Sequence, residues 1–225
     1  MNLKNQTMRI IKFLLILAAV IPFASCEKTE KPDNTPDRVG ISRVTYFPTF
    51  TMSGAKYISI VKGGSFTDPG VTAKEGTADL QVTKTGTVNT NTVGVYDIVY
   101  SATNKDGFTS SVTRTVAVLP SAEQAGVDIS GKYANTGSFN YVATMQKLAP
   151  GFYLVDNLWG GGSAAIISAY VLTVDGTNLI VPISTLTAYG RVRGTGTLDA
   201  AGNLTYVIDL MDLGVTGSTR KWKKQ

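Results

Sequence analysis

Gly94-Val95-Tyr96-Asp97-Ile98-Val99-Tyr100-Ser101-Ala102-Thr103 alternates with a period of two, the repeat of an extended strand. Tyr96, Ile98, Tyr100 and Ala102 share one side, which the pattern assigns to a core. Val95, Asp97, Val99 and Ser101 share the other, a mixed set suited to the wet side of an antiparallel strand. Asn104-Lys105-Asp106-Gly107 then supplies turn chemistry, and Phe108 to Leu119 reads as the returning strand. Val112, Val116 and Val118 line one face of that strand, and Arg114 interrupts them.

Upstream, Val44-Thr45-Tyr46-Phe47 and Lys56-Tyr57-Ile58-Ser59-Ile60-Val61 are also strand-like, the second closing on the turn Gly63-Gly64. Composition agrees: 43% hydrophobic residues, 16% charged residues and 23 glycines, with many Thr and Val, suit short strands joined by glycine turns. The expected fold class is all-β. Three motifs in order, Phe66-Thr67-Asp68-Pro69-Gly70-Val71-Thr72-Ala73, then Gly94 to Tyr100 with Asn104 to Gly107, then Arg114-Thr115-Val116-Ala117-Val118, resemble the bacterial immunoglobulin-like domains of surface proteins. The resemblance runs from Thr45 to Leu119 and implies a β-sandwich. It also implies that Tyr96, near the start of the penultimate strand, ties a corner through its hydroxyl. It brings no catalytic residues, and members of the family serve as spacers or adhesion modules.

Pro120-Ser121-Ala122-Glu123-Gln124-Ala125-Gly126 separates a finished strand from a new pattern. After it, turn signals fall at Asn135-Thr136-Gly137, Pro150-Gly151, Gly160-Gly161-Gly162, Asp175-Gly176, Gly194-Thr195-Gly196 and Ala201-Gly202-Asn203. Strand-like runs lie between, including Phe139 to Lys147, Phe152 to Leu158, Ala165 to Val174, Leu179 to Ile183 and Leu204 to Leu210. Short strands with hairpin-sized connections predict an antiparallel meander that closes as a barrel or a sandwich. Ile129 to Tyr133 and Ala149 to Gly160 resemble the uncharacterised C-terminal domain that follows one Ig-like domain in Bacteroidota lipoproteins. Relatives of that domain accompany outer-membrane glycan-import systems, an association that points toward glycans.

At the other end, Lys4, Arg9 and Lys12 precede an apolar run, Phe13 to Val20, and Pro22 and the charged Glu27 to Lys31 cut that run short of a membrane span. Ala24-Ser25-Cys26 resembles the lipobox of bacterial lipoproteins, which implies cleavage before Cys26 and a lipid anchor on its thiol. Glu27 to Arg38 has no apolar residue and two prolines, so it reads as a tether. The expected division is therefore a signal peptide at 1–25, a tether at 26–38, an Ig-like sandwich at 39–120, a linker at 121–128 and a C-terminal β domain at 129–225. The expected location is the outer membrane, lipid-anchored, at the cell surface or its periplasmic face.

The formal charge of +5 shrinks once the signal is removed, and four of the remaining cations, Arg220, Lys221, Lys223 and Lys224, crowd the last six residues. They read as a solvated chain end, with Trp222 in a polar tail. A near-neutral body gives no case for nucleic acid. With no histidine and one cysteine, histidine-dependent triads and the usual zinc sites are excluded. The carboxylates stand mostly in turns, so neither enzymatic activity nor a cofactor is expected. The loop Asp156-Asn157-Leu158-Trp159-Gly160-Gly161-Gly162-Ser163 has the parts of a sugar platform, a flat indole beside polar groups. The alternative is that Trp159 plugs the end of a barrel. Tyr189-Gly190-Arg191-Val192-Arg193 puts Arg191 and Arg193 on one side of a strand, to meet an anion or to form a solvated face. The leading expectation is non-catalytic capture of a glycan, such as a polysaccharide, or of another surface ligand by the C-terminal domain, with the Ig-like domain as spacer. The alternative is an assembly subunit docking on an outer-membrane protein.

Overall fold

The β-hairpin foreseen at Gly94 organises the first half of the chain, in a computed structural model that describes residues 38–39, 42–137, 141–163 and 165–225. The signal segment, Cys26 and the tether up to residue 37 lie outside the described residues. In the first unit, residues 1–45, the short strands β1 (Arg38–Val39) and β2 (Ser42–Arg43) pair antiparallel. The second unit, residues 46–225, carries everything else.

Within it, β3 (Thr49–Met52), β5 (Val71–Glu75) and β6 (Ala78–Leu80) form one sheet, and β4 (Tyr57–Val61), β9 (Thr109–Leu119), β8 (Gly94–Thr103) and β7 (Thr83–Thr85) the other. β4 runs parallel to β9, and the remaining pairs are antiparallel. Ile98, Tyr100 and Ala102 are buried as the alternation requires, while Tyr96 is half-buried at the strand's entrance. Its hydroxyl donates to the carbonyl of Thr92 at 2.8 Å, the corner that the resemblance implied. Val44 to Phe47, expected as a strand, joins no ladder, and the first sandwich strand begins at Thr49.

The second half is a closed barrel in sequence order: β10 (Gly131–Asn135), β11 (Val142–Ala149), β12 (Phe152–Val155), β13 (Ala169–Leu172), β14 (Asn178–Ser184), β15 (Val192–Leu198), β16 (Asn203–Leu210) and β17 (Val215–Lys224). Of the two closures open to the sequence, the chain takes the barrel. A single 3-10 turn, Met211–Leu213, joins the last two strands. The interior is packed with side chains, among them Tyr133, Met145, Tyr153, Leu204, Tyr206 and Trp222.

Two sequence expectations are corrected here. The chain end is no polar tail, because β17 closes the barrel on β10, with Asn135 opposite Trp222 and Tyr133 opposite Lys224. Period two carries Trp222 inward to 2% exposure while Lys221 and Lys223 face solvent. Gly194-Thr195-Gly196 is no turn but the middle of β15. Gly196 lies opposite Tyr206, and a Cβ there would come 2.7 Å from the Tyr206 ring. The missing side chain makes room for the tyrosine inside the barrel.

β9 is buried on both sides from Arg114 to Leu119. Val116 faces the sandwich core, and Ala117 and Leu119 face the barrel wall, clustering with Phe152, Tyr170 and Leu172. Phe152 meets Tyr57 edge-on at 6.0 Å and Tyr170 at 5.0 Å between ring centres. The segment 121–128 adds polar ties. Gln124 N–H donates to the Val174 carbonyl at 2.8 Å, and the Glu123 carboxylate accepts from Gly151 N–H at 2.8 Å and pairs with Lys147 at 2.9 Å. The sandwich and barrel thus share a core, where the sequence had suggested only a linker.

Candidate ligand-binding site

In an up-and-down barrel alternate loops gather at one end, and here the loops after β10, β12, β14 and β16 share an end. The longest follows β12 and carries Trp159. Its shape comes from the residues that precede the tryptophan. Asp156 closes onto β11: its carboxylate accepts from Thr144 N–H at 2.8 Å, and its own N–H donates to the Thr144 carbonyl at 3.2 Å. Asn157, 7% exposed, spans the glycine turn, its Nδ2 donating to the Gly161 carbonyl at 2.9 Å and its Oδ1 accepting from Gly160 N–H at 3.0 Å. Leu158 is fully buried in the barrel core. Gly160 has φ +74°, and a Cβ there would run into the Asn135 amide and the Trp222 ring, so a side chain is excluded by space as well as by backbone.

Held this way, Trp159 is half-buried, one part packed on the barrel core. Both sequence alternatives were too simple: the ring is neither a free platform nor a sealed plug. The remainder of the ring lines a cavity of about 490 Å3 together with Asn135, Thr136, Gly160, Thr219 and Arg220. The cavity exists because the strands differ in length. β10 ends at Asn135, level with Trp222, whereas β17 begins at Val215, so among the described residues the upper part of β17 has a neighbour on one side only. Arg220 points inward from that stretch, and its guanidinium carbon lies 3.5 Å from the centre of the Trp159 ring. Desolvation lowers its pKa from the usual arginine value.

Arg220 was the residue the sequence reading missed. The signal was present in the alternation of Ser218, Arg220, Trp222 and Lys224, obscured by the run of cations around it.

The other nominated residues lie apart from this cavity. Tyr189 packs against the barrel core near the same end. Arg191 is clamped by Asp212, with Nη2 to Oδ1 at 2.6 Å and Nε to Oδ1 at 3.0 Å, and that pairing lowers the Asp212 pKa. Arg193 donates from Nε to Asp209, directly opposite on β16, at 2.9 Å. Arg193 lies on β15 and Arg191 immediately before it, and each has its own carboxylate. Among the described residues no three acidic side chains gather to hold a metal.

A sandwich of two sheets fused to a filled barrel with a lined opening places the chain among modular all-β proteins. Residues 50–118 match the family described as bacterial surface protein, Ig-like domain. An uncharacterised 81.3 kDa protein of Acholeplasma phage L2 is 27% identical over 163 residues, covering 72% of this chain, and the chain spans only 20% of that protein's length. Among solved structures, the lipoprotein BT2262 from Bacteroides thetaiotaomicron is 24% identical, with 80% of this chain and all of that one covered, at a TM-score of 0.38. A fragment of Clostridium perfringens ZmpB, CBM51-2 in complex with GlcNAc with INT domains, is 15% identical, covering 79% of this chain and 47% of that one, at a TM-score of 0.30.

Proposed function

We propose that the chain is a non-catalytic envelope lipoprotein, anchored through Cys26 to the outer membrane, that captures a glycan at the mouth of its C-terminal barrel. One observation carries the reading: a half-buried indole lines a cavity about the size of a small ligand, together with the polar residues Asn135, Thr136 and Thr219. A sugar needs an apolar wall for its C–H face and polar groups for its hydroxyls, and this cavity supplies both. The Ig-like domain, packed on the barrel wall, serves as a fixed stand.

The test is a glycan array and affinity gels with the mature protein and with Trp159→Ala and Trp159→Phe. The alanine variant is expected to lose retention on the cognate glycan and the phenylalanine variant to keep part of it. Retention unchanged by alanine would move binding away from this cavity.

The side of β17 between Val215 and Arg220 that has no strand neighbour among the described residues favours a second reading, strand addition by an outer-membrane protein partner. Co-purification with such a partner that persists in Trp159→Ala, without glycan retention, would replace the first reading by the second.

A further inference from the structure

The second unit contains four arginines, Arg114, Arg191, Arg193 and Arg220. Three commit their charge to a carboxylate: Arg114 to Asp68, Arg191 to Asp212 and Arg193 to Asp209. Arg220 has no carboxylate partner among the described residues. It makes a hydrogen bond from Nη1 to the Thr219 carbonyl at 3.0 Å and lies over Trp159. Among the described residues no acidic side chain lines the cavity it faces.

A guanidinium has five N–H donors in a planar fork, and a carboxylate takes two of them side by side. Stacking on the indole restrains the plane of the fork without consuming its edge, so less freedom is lost when an anion docks. The partial withdrawal of Arg220 from water works in the same direction, because a half-desolvated cation recovers more from an incoming anion than a fully hydrated one. A neutral sugar could accept from that edge through its hydroxyl oxygens but would leave the positive charge unmatched.

We infer that the cavity beside Trp159 selects a carboxylate-bearing sugar, a uronic acid residue of an acidic polysaccharide, whose carboxylate is held by the edge of Arg220. The inference rests on the glycan-capture reading and narrows its ligand class. Trp159 acts as the wall that orients Arg220 and borders the sugar ring. Arg220 supplies the charge.

Affinity gels cast with polygalacturonate, alginate, carboxyl-reduced polygalacturonate, heparin, dextran or mannan separate the outcomes, run with the mature chain and with Arg220→Gln and Arg220→Lys. Expected is retention on polygalacturonate or alginate, at least tenfold weaker on the carboxyl-reduced polymer for a polygalacturonate binder. Arg220→Gln should abolish it, Arg220→Lys should weaken it, and 0.5 M NaCl should reduce it. Melting curves check that both variants are folded, and if the glutamine variant is not, the lysine variant decides. Retention on dextran or mannan alone overturns the inference and leaves glycan capture standing. Retention on heparin alone overturns the carboxylate assignment in favour of sulfate. Retention on no gel overturns the glycan reading and the inference with it.

Discussion

Arg114, fully buried inside the Ig-like domain, donates from Nη1 to Oδ1 of Asp68 at 2.7 Å across 46 residues of chain. Asp68 also accepts from Tyr100 and pairs through Oδ2 with Lys84 at 2.7 Å. Arg114 Nη2 reaches the carbonyls of Ser53 and Gly70. The two residues are therefore not equivalent. Asp68→Ala leaves a guanidinium enclosed with no counter-charge and is expected to cost about 3–5 kcal/mol, the usual result of stranding a buried charge. Arg114→Met leaves Asp68 with Lys84 and Tyr100 and should cost less. Urea denaturation of the full chain compares them, and equal losses would mean that Lys84 and Tyr100 do not sustain the carboxylate.

The same carboxylate gives a pH dependence. Burial by itself would raise the Asp68 pKa, but hydrogen bonds from Lys84, Tyr100 and the Gly70 N–H outweigh it and hold the group at about 2. A carboxylate with a depressed native pKa contributes stability above its unfolded pKa and loses it as pH falls through the native one. The contribution should be complete above pH about 5 and should be lost by pH about 1, a change of roughly 2.5 kcal/mol. Denaturation midpoints measured across that window should show a shallower slope for Asp68→Asn than for wild type. Identical slopes would remove Asp68 as their source.

These two residues also show what the sequence carried and what it hid. Alternation from Gly94 to Thr103 and from Phe108 onward was enough to place the hairpin and its core face, because those contacts are local in sequence, while the Tyr96 corner was implied by the family resemblance. Arg114 could only be read as an interruption, since its partner lies in the Asp68-Pro69-Gly70 turn of the other sheet. The packing of Ala117 and Leu119 on the barrel wall could not be read at all, because nothing in one strand's pattern says that a second domain covers its other side. Trp222 was hidden by composition: Lys221, Lys223 and Lys224 made a barrel strand resemble a charged end. The candidate site suffered for the same reason. Trp159 was legible as an indole among glycines, whereas Arg220 acquires meaning only when β17 brings it over that ring.

Two tyrosine hydroxyls allow a paired test. Tyr96 donates to Thr92 O at 2.8 Å at an exposed corner, and Tyr133 donates to Ile129 O at 2.7 Å in a buried one. Removing the first hydroxyl leaves a carbonyl that water reaches, so Tyr96→Phe should cost about 0.5–1.5 kcal/mol. Removing the second strands a buried acceptor, and Tyr133→Phe should cost about 1–3 kcal/mol. Thermal melts of both variants give the order. A larger loss for Tyr96→Phe would contradict the argument from solvent access.

Trp222 should behave as a core residue. Trp222→Ala is expected to cost about 3–5 kcal/mol, as for other buried tryptophans. Its indole N–H is buried with no hydrogen-bond partner among the described residues, so Trp222→Phe gives up no hydrogen bond and should cost distinctly less. Emission from Trp222, isolated in Trp159→Phe, should be blue-shifted and shielded from iodide. Red-shifted, fully quenchable emission would return the last strand to solvent.

The shared core between sandwich and barrel decides whether the Ig-like domain is a hinged spacer or a fixed stand. Phe152 is fully buried at that junction, against Tyr57 on the sandwich side and Tyr170 on the barrel. Leu119 sits close enough to Gly151 that a Cβ on that glycine would lie 2.8 Å from its Cδ1. Interlocking of this kind couples the two folding units, so calorimetry of the wild-type chain should give one transition with calorimetric and van't Hoff enthalpies in agreement. Phe152→Ala removes the central ring at a cost of about 3–5 kcal/mol. Because that cost falls on the contact between the units as well as on the barrel wall, the variant should melt in two steps. The barrel should unfold first and the sandwich, whose Ile98, Tyr100 and Val116 core is untouched, afterwards. Two resolved transitions in the wild type would show the contact to be too weak to fix the domains, and the Ig-like domain would then act as a hinged spacer.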